Sequence, residues 1–467
     1  MILPKEQLYR YLRHIIMPEI SGPGQKKLIE STGLVISSSL DCALPLLYYL
    51  TAAGIGRIYV AAEKFNQEFL YLKENLEDLN PDLKIEFLED ATALPTGEKL
   101  DFAVFINNFK AAKYLKEIPA ILAATRPWKG YMRTVKRADL LDDTLPETID
   151  GDYSERGSAG AAFSRCLAGT LCAIEAVKLC LNMGRLLESP LYFDLDDMEF
   201  KTGVSWNEFI KADIPEHPLE KEKLSRSKVL IVGTGGLGSL AALALTLAGV
   251  GTIGLVDIDT VEISNLNRQI LHTTSRIGMP KVESAEIFLK KINPEVNVVK
   301  YHTRFDRENA LEIIKDYDVI IDGVDNLPTR YLLNDACVLA GKPLAEAGVL
   351  RFEGLGMTVV PGEGPCYRCV FPKMPPPGST PSCSETGVLG PVPGVMGSIE
   401  AAEAAKILTG RGKLLSGRLL IFDAMELDFK LPDLKKDPGC PVCGQSPSIR
   451  GLSGEYDFVC ERKENNL

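Results

Sequence analysis

The chain has no surplus of positive charge: 52 Lys and Arg face 63 Asp and Glu, a formal net charge of -11. That balance argues against nucleic acid or an anionic membrane surface as the main partner, without excluding a local basic pocket. Residues Met1–Arg10 lack the apolar core of a secretion signal. No long hydrophobic run is unbroken either. The most apolar stretch, Leu240–Val256, is interrupted by Gly249, Gly251 and Gly254 and reads as a buried helix followed by a strand. A cytoplasmic protein is expected. Eleven cysteines in 467 residues do not make a disulfide scaffold. Cys42, Cys166, Cys172, Cys180, Cys337 and Cys460 are scattered, mostly in apolar company, and read as small core residues. The remaining five cluster after residue 365.

What is present is written twice. Gly394–Lys406 followed by Arg418–Asp423 repeats the pattern of Cys166–Lys178 followed by Pro190–Asp194: a buried helix with a late Lys, then a strand ending in Asp. Leu50–Val60 pairs with Leu247–Val256, Leu79–Ile85 with Ile292–Val298, and Asp101–Asn108 with Asp318–Asp325. Short β-branched strands alternate with helical segments in each half. The expected fold is therefore α/β: two Rossmann-like domains in tandem, each a largely parallel sheet flanked by helices. Boundaries are placed at 1–212 for the first unit, 213–225 for a polar linker containing Pro215 and Pro218, 226–445 for the second unit and 446–467 for a tail.

The halves differ chemically. Gly233-Thr-Gly235-Gly236-Leu-Gly238 follows an apolar strand and opens a helix, and Asp257 closes the next strand. Glycines admit a phosphate to the backbone, the helix start offers N–H donors, and the acid suits a ribose. The first half has Ser37–Cys42, Ala61 or Ala62, and Asn108 at the matching places. Downstream, the polar run Ser264–Gln269 carries Arg268, and Lys281 follows. A triphosphate needs fixed cations more than a dinucleotide does, so both are read as phosphate clamps. Asp325 at the end of a strand is placed to hold Mg²⁺, with an Asx turn or helix N-cap as the compatible structural reading. Cys366-x-x-Cys369 and Cys440-x-x-Cys443 supply four thiolates, a set suited to structural Zn²⁺.

The motifs GTGGLG (233–238), DIDTVEISNLNRQ (257–269), IGMPKVESA (277–285), DGVDNLPTRYLLNDAC (322–337), CYRCVFP (366–372), SCSETGVLGPVPGVMGSIEA (382–401) and CPVCG (440–444) resemble the ThiF/MoeB/HesA family, relatives of the ubiquitin-activating enzymes. The first half resembles a decayed copy that keeps the family opening, residues 8–28. The resemblance implies ATP- and Mg²⁺-dependent transfer of AMP to the C-terminal glycine carboxylate of a small ubiquitin-like sulfur-carrier protein. It assigns Gly233, Gly235 and Gly236 to the phosphates and Asp257 to the ribose. Asp259, Ser264, Asn265, Asn267, Gln269 and Asn326 join the nucleotide site. Arg268 and Lys281 contact the triphosphate, and Asp325 holds the metal. Arg13 is expected to reach the second half's site from a fused pseudo-subunit, making the working unit a monomeric pseudo-dimer. Cys383 corresponds to a residue that in some relatives forms a thioester or acyl-disulfide with the carrier and in others does not. No rhodanese-like domain is evident after Cys443, so a separate sulfurtransferase is expected. An NAD-dependent oxidoreductase and a non-catalytic scaffold for a β-grasp protein are the alternatives.

Overall fold

The computed structural model describes residues 3–62, 68–112, 115, 117–137, 148, 158–212, 219–376, 383–452 and 456. Pro215, Pro218, Cys460 and most of the proposed tail lie outside the described residues. The first half forms β1 (Thr32–Ser37), β2 (Arg57–Ala62), β3 (Lys84–Leu88), β4 (Phe102–Ile106), β5 (Ala120–Arg126), β6 (Lys129–Val135), β7 (Leu191–Asp194) and β8 (Glu199–Thr202). The second forms β9 (Lys228–Val232), β10 (Thr252–Val256), β11 (Asn297–Tyr301), β12 (Val319–Asp322), β13 (Leu344–Leu350), β14 (Glu353–Val359), β15 (Leu420–Asp423) and β16 (Asp428–Lys430). Each set makes one 8-stranded sheet, in the orders β3-β2-β1-β4-β5-β6-β7-β8 and β11-β10-β9-β12-β13-β14-β15-β16. Five strands of each sheet run parallel, and the last three return antiparallel.

The halves repeat each other down to single hydrogen bonds. Asp101 Oδ2 accepts from the first amide of β1, Thr32 N, at 2.8 Å, and Asp318 Oδ2 accepts from the first amide of β9, Lys228 N, at 2.8 Å. The central helices Ala159–Leu181 and Pro391–Thr409 each carry a buried acid and lysine, Glu175 with Lys178 at 2.7 Å and Glu403 with Lys406 at 2.5 Å. Glu175 Oε2 also accepts from Thr134 Oγ1 and Leu187 N, and Glu403 Oε2 from Thr358 Oγ1 and Leu415 N. Burial pulls the Lys178 pKa down and Glu175 opposes it. Removing the cation would strand a buried carboxylate. Lys178→Ala is therefore expected to lower unfolding free energy by about 3–5 kcal/mol, read as a shift in the urea midpoint at unchanged m-value.

Those central helices pack on each other, and one apolar cluster runs through both halves. Gly394 lets Tyr49 of the first half lie where a Cβ would stand 2.3 Å from its hydroxyl. The join is close to isologous. Lys413 N donates to Asp196 O at 2.7 Å, and in the mirrored place Arg185 N donates to Met425 O at 2.8 Å. Phe200 of β8 stacks on Phe429 of β16, the matching residue, with ring centres 3.9 Å apart and 9° between planes. Like residues meeting each other is the signature of a two-fold axis, here within one chain. Arg411 breaks the symmetry usefully, gripping Asp196 through two bonds of 2.8 Å and lying over the Trp128 ring.

Two short helices lie near the expected join of the units. Starting inside the span assigned to the linker and ending one residue past it, Glu220–Arg226 is a helix with Leu224 buried and Lys223 Nζ donating to Thr409 O at 2.7 Å. Just before it, Trp206–Lys211 is a helix fixed by a Ser205–Glu208 capping box. It lays Trp206 and Phe209 on Tyr131 of the first sheet, and Phe209 also meets Tyr192. Among the described residues no helix is long and apolar enough to cross a membrane.

Candidate nucleotide and thiolate sites

The glycine turn lies where β9 ends, at the centre of the second sheet. Gly233 has φ +94°, and a Cβ there would meet Gly323 O at 2.5 Å, so only glycine allows the β9 and β12 turns to touch. The helix Gly236–Leu247 begins without a side-chain cap, leaving its first N–H groups directed at the cleft. Asp257, half-buried at the end of β10, braces this turn: its Oδ2 accepts from Thr234 N at 2.9 Å and from Thr234 Oγ1 at 2.8 Å.

The polar run closes the other side. Arg268 is buried, its Cγ 3.7 Å from the Cβ that Gly236 would carry, and its guanidinium donates to Ser264 O and Asn267 Oδ1, each at 2.9 Å. Asn265 Oδ1 accepts from Glu262 N, which shapes the turn entering the run. Asn267 Nδ2 and Gln269 Oε1 are buried with no hydrogen-bond partner among the described residues, and the Gln269 amide nitrogen lies 3.6 Å from the Cβ position of Gly235. Orphaned buried amide groups beside a glycine turn fit a polar ligand that completes them. Lys281 is 6 % exposed and pairs with the exposed Asp259 at 3.0 Å.

Asp325 is exposed beyond β12, and Asn326 caps the next helix by accepting from Thr329 N at 3.0 Å. The turn leading to Asp325 is held by Asp322, which accepts from Val324 N at 3.0 Å and Arg330 Nε at 2.9 Å, and by Arg330 donating to Val324 O at 3.0 Å. Arg330 also faces Glu346, whose carboxyl is pushed up to about 8 by burial against the pull of that guanidinium. The structure thus gathers the glycine turn, Asp257, Asn267, Arg268, Gln269, Lys281 and the Asp325 turn at the carboxyl ends of β9, β10 and β12. Ser264 is half-buried at the margin, its hydroxyl 3.4 Å from Glu262.

The first half's opening arrives from across the axis. Arg13 is half-buried, and its carbonyl accepts from Val388 N of the second half at 3.2 Å. Arg10 donates to Thr274 Oγ1 at 3.1 Å. Cys383 begins the short helix Cys383–Thr386; its side chain and the preceding residues 377–382 lie outside the described residues. At the matching place in the first half, Asn107 Nδ2 donates to Thr125 Oγ1 at 3.1 Å and contacts Cys42 Sγ at 3.8 Å.

Two histidines belong to the site although sequence reasoning gave them no part. His272 Nε2 lies 3.3 Å from Thr234 O and its Nδ1 lies 3.0 Å from Ser284 Oγ. A carbonyl can only accept, so Nε2 carries the proton and steadies the glycine turn. Burial, then Lys281 and Arg276, push its pKa down to about 3, keeping it neutral. His14 is the second. Neither has a local signature, because both act through contacts far along the chain.

Away from the cleft, Cys366, Cys369, Cys440 and Cys443 hold their sulfurs within 4.8 Å of one another, with Cys366–Cys440 at 3.6 Å and Cys369–Cys443 at 3.4 Å. Thiolates around tetrahedral zinc, bonded at about 2.3 Å, stand about 3.8 Å apart, so the four fit that ion. The knuckle is anchored by Arg368, which forks onto Asp335 at 2.8–2.9 Å, and Asp335 also accepts from Tyr456 Oη.

The ThiF family profile matches residues 207–442. The chain belongs to the ThiF family. A sulfur carrier protein adenylyltransferase of Thermus thermophilus is 49% identical over 52% of this chain and 91% of its own length. A SAMP-activating enzyme E1 of Haloferax volcanii is 47% identical over 49% of this chain and 84% of its own. The adenylyltransferase and sulfurtransferase MOCS3 of Aedes aegypti is 45% identical over 52% of this chain, which spans about half of that relative, 55%. A crystal structure of E. coli MccB is similar at a TM-score of 0.44 and 26% identity, over 48% of this chain and 69% of that one. The ThiF match starts at residue 207, ahead of the expected boundary at 226. It takes in part of the helix Trp206–Lys211, which nevertheless packs on the first sheet.

Proposed function

We propose that this ThiF-family protein uses ATP to adenylate the C-terminal glycine carboxylate of a small ubiquitin-like sulfur-carrier protein. The observation that carries the reading is Arg268 buried against Gly236 of the glycine turn, with buried Lys281 and the Asp325 turn at the same carboxyl ends of the second sheet. A carboxylate oxygen of the carrier attacks the α-phosphorus of ATP. The bond from that phosphorus to the bridging oxygen breaks, and pyrophosphate leaves with the electron pair. The attacking group is already an anion, so no general base is needed. The residues' task is to hold the phosphates in line and to neutralise charge gathering on the α-phosphate and the leaving group. Asp325 would hold Mg²⁺, which supplies further positive charge to the phosphates. Asp257 would meet the ribose, with Asp259, Asn265, Asn267, Gln269 and Asn326 completing the nucleotide site. The four cysteines would hold a structural zinc ion.

The first half is read as a degenerate copy retained as a pseudo-subunit. Its matching strand order supports common descent, and Ser37–Cys42 and Asn108 in place of the glycine turn and Asp325 support the loss of nucleotide binding. Its surviving service is to deliver Arg13 beside Val388, so that one chain supplies one complete site and works as a monomer. Cys383, the first residue of the short helix Cys383–Thr386, is read as the acceptor of the activated carrier: its thiolate attacks the acyl carbon of the carrier adenylate, the bond from that carbon to the AMP oxygen breaks, AMP leaves and a thioester forms.

ATP–pyrophosphate exchange that requires a carrier ending in Gly-Gly tests the activity, and uptake of NADH without binding of Mg·ATP would overturn it. Arg13→Ala is expected to slow the exchange about a hundredfold, as for loss of one preorganised cation. Exchange at the wild-type rate would remove the first half from the reaction.

A further inference from the structure

We infer that His14 is a positioning residue through which the first half sets the alignment of the second half's phosphate site. His14 is fully buried in the short helix Leu12–Ile15, and its Nε2 accepts from Gly390 N, 376 residues away, at 3.0 Å. Its Nδ1 lies 3.0 Å from Gln25 Oε1, and Gln25 Nε2 donates to Ala53 O at 2.9 Å. The two ends fix the tautomer: an amide N–H can only donate to Nε2, and a carbonyl oxygen can only accept from Nδ1–H. Burial, with Arg268 nearby, pushes the ring pKa down to about 4, so the neutral acceptor persists at neutral pH.

Gly390 is the pivot. It precedes the helix Pro391–Thr409, which has no side-chain cap and whose first residue has no amide proton. A Cβ at Gly390 would stand 2.3 Å from Asn267 O, so its backbone lies flush against the polar run. Three residues on, Pro393 presses on Gly236, 2.8 Å from the position of its Cβ. The same strip is tied again to the first half where Val388 N meets Arg13 O, and to β13's end where Leu389 N meets Arg351 O at 3.1 Å. His14 therefore holds a short piece of backbone that touches Asn267 on one side and Gly236, through Pro393, on the other. Without an acceptor there, Gly390 N–H would be buried and unsatisfied, and the strip would move to find a partner.

The kinetic part of this inference rests on the adenylation reading; the hydrogen bond itself does not. Two substitutions split the two arms of the imidazole. His14→Gln places an amide oxygen about where Nε2 stands and gives up the Gln25 arm. His14→Asn keeps a donor about where Nδ1 stands and cannot reach Gly390. If His14 acts through Gly390, H14Q keeps the Gly390 amide protected in hydrogen–deuterium exchange and holds kcat of carrier-dependent exchange within about threefold of wild type. H14N then exposes that amide and lowers kcat about tenfold or more, with a smaller change in KM for ATP. A purely structural role inside the first half gives the reverse order, and that order, or equal behaviour of the two variants, would overturn the inference. Amide protection needs neither carrier nor turnover. A wild-type protein without exchange activity would sink the functional reading while leaving the His14 link to be judged on Gly390 protection alone.

Discussion

Lys281→Ala is expected to lower carrier-dependent ATP–pyrophosphate exchange about a hundredfold to a thousandfold while leaving the thermal midpoint nearly unchanged. The two halves of that statement have separate causes. Lys281 is the first residue of the helix Lys281–Ile292, so its ammonium sits at the positive end of the macrodipole, where a cation gains nothing. Lys281 is buried but its partner Asp259 is 56 % exposed, so water screens the pair from the Asp259 side and it contributes about 1 kcal/mol at most. The fold therefore has little use for this charge. On the proposed function the site has a large one: a held, buried cation meets charge that grows as pyrophosphate separates. Such a group is worth about 3–4 kcal/mol of barrier when its solvent is already stripped away. Parallel melting curves and initial rates decide the matter. A large fall in the melting midpoint with the rate intact would make Lys281 a structural residue and remove the main support for a triphosphate.

Much of this arrangement is legible in the sequence, for reasons that lie in local chemistry. Glycines between an apolar strand and an apolar helix can be read from spacing alone, because the turn they make is local. Asp257 is legible because it closes the neighbouring parallel strand, and the CxxC pairs because two ligands sit within one turn. The antiparallel returns β6–β8 and β14–β16 are less so: β14 reads as a mixture of Gly and apolar residues until its partners are known. His14 and His272 were not legible at all. Nothing near His14 names an amide 376 residues away, and a buried neutral imidazole looks like any other core residue. The helix Glu220–Arg226 hid for a related reason, since it is largely polar and is fixed by Leu224 and by Lys223 reaching Thr409. The first half's different residues at the matching positions were visible in the sequence, whereas the contacts they make, from Asn107 to Thr125 and Cys42, were not.

Cys440→Ser is expected to abolish binding of one zinc ion per chain and to unfold the segment around residues 366–371 and 434–449 locally. The four sulfurs are too close to be left as thiols at no cost: two pairs stand 3.4–3.6 Å apart in a half-buried knuckle. Deprotonated without a cation they would repel; protonated they make only weak hydrogen bonds. An ion that accepts all four resolves the conflict, and closed four-sulfur sites contribute folding energy directly. The loss should spread along one path. Cys366 and Cys369 flank Arg368, whose fork on Asp335 ties the knuckle to the helix Leu327–Ala340, and that helix starts at Asn326 beside Asp325. Metal loss therefore loosens the Asp325 turn from behind without touching Arg268 or Lys281. The expected pattern in C440S is zinc content near zero, faster amide exchange in Tyr367–Phe371 and a raised requirement for Mg²⁺ in the exchange assay. Full zinc content in C440S, or an unchanged exchange pattern across Tyr367–Phe371, would show that the four cysteines are packing residues and that the knuckle stands on Arg368 and Asp335 alone.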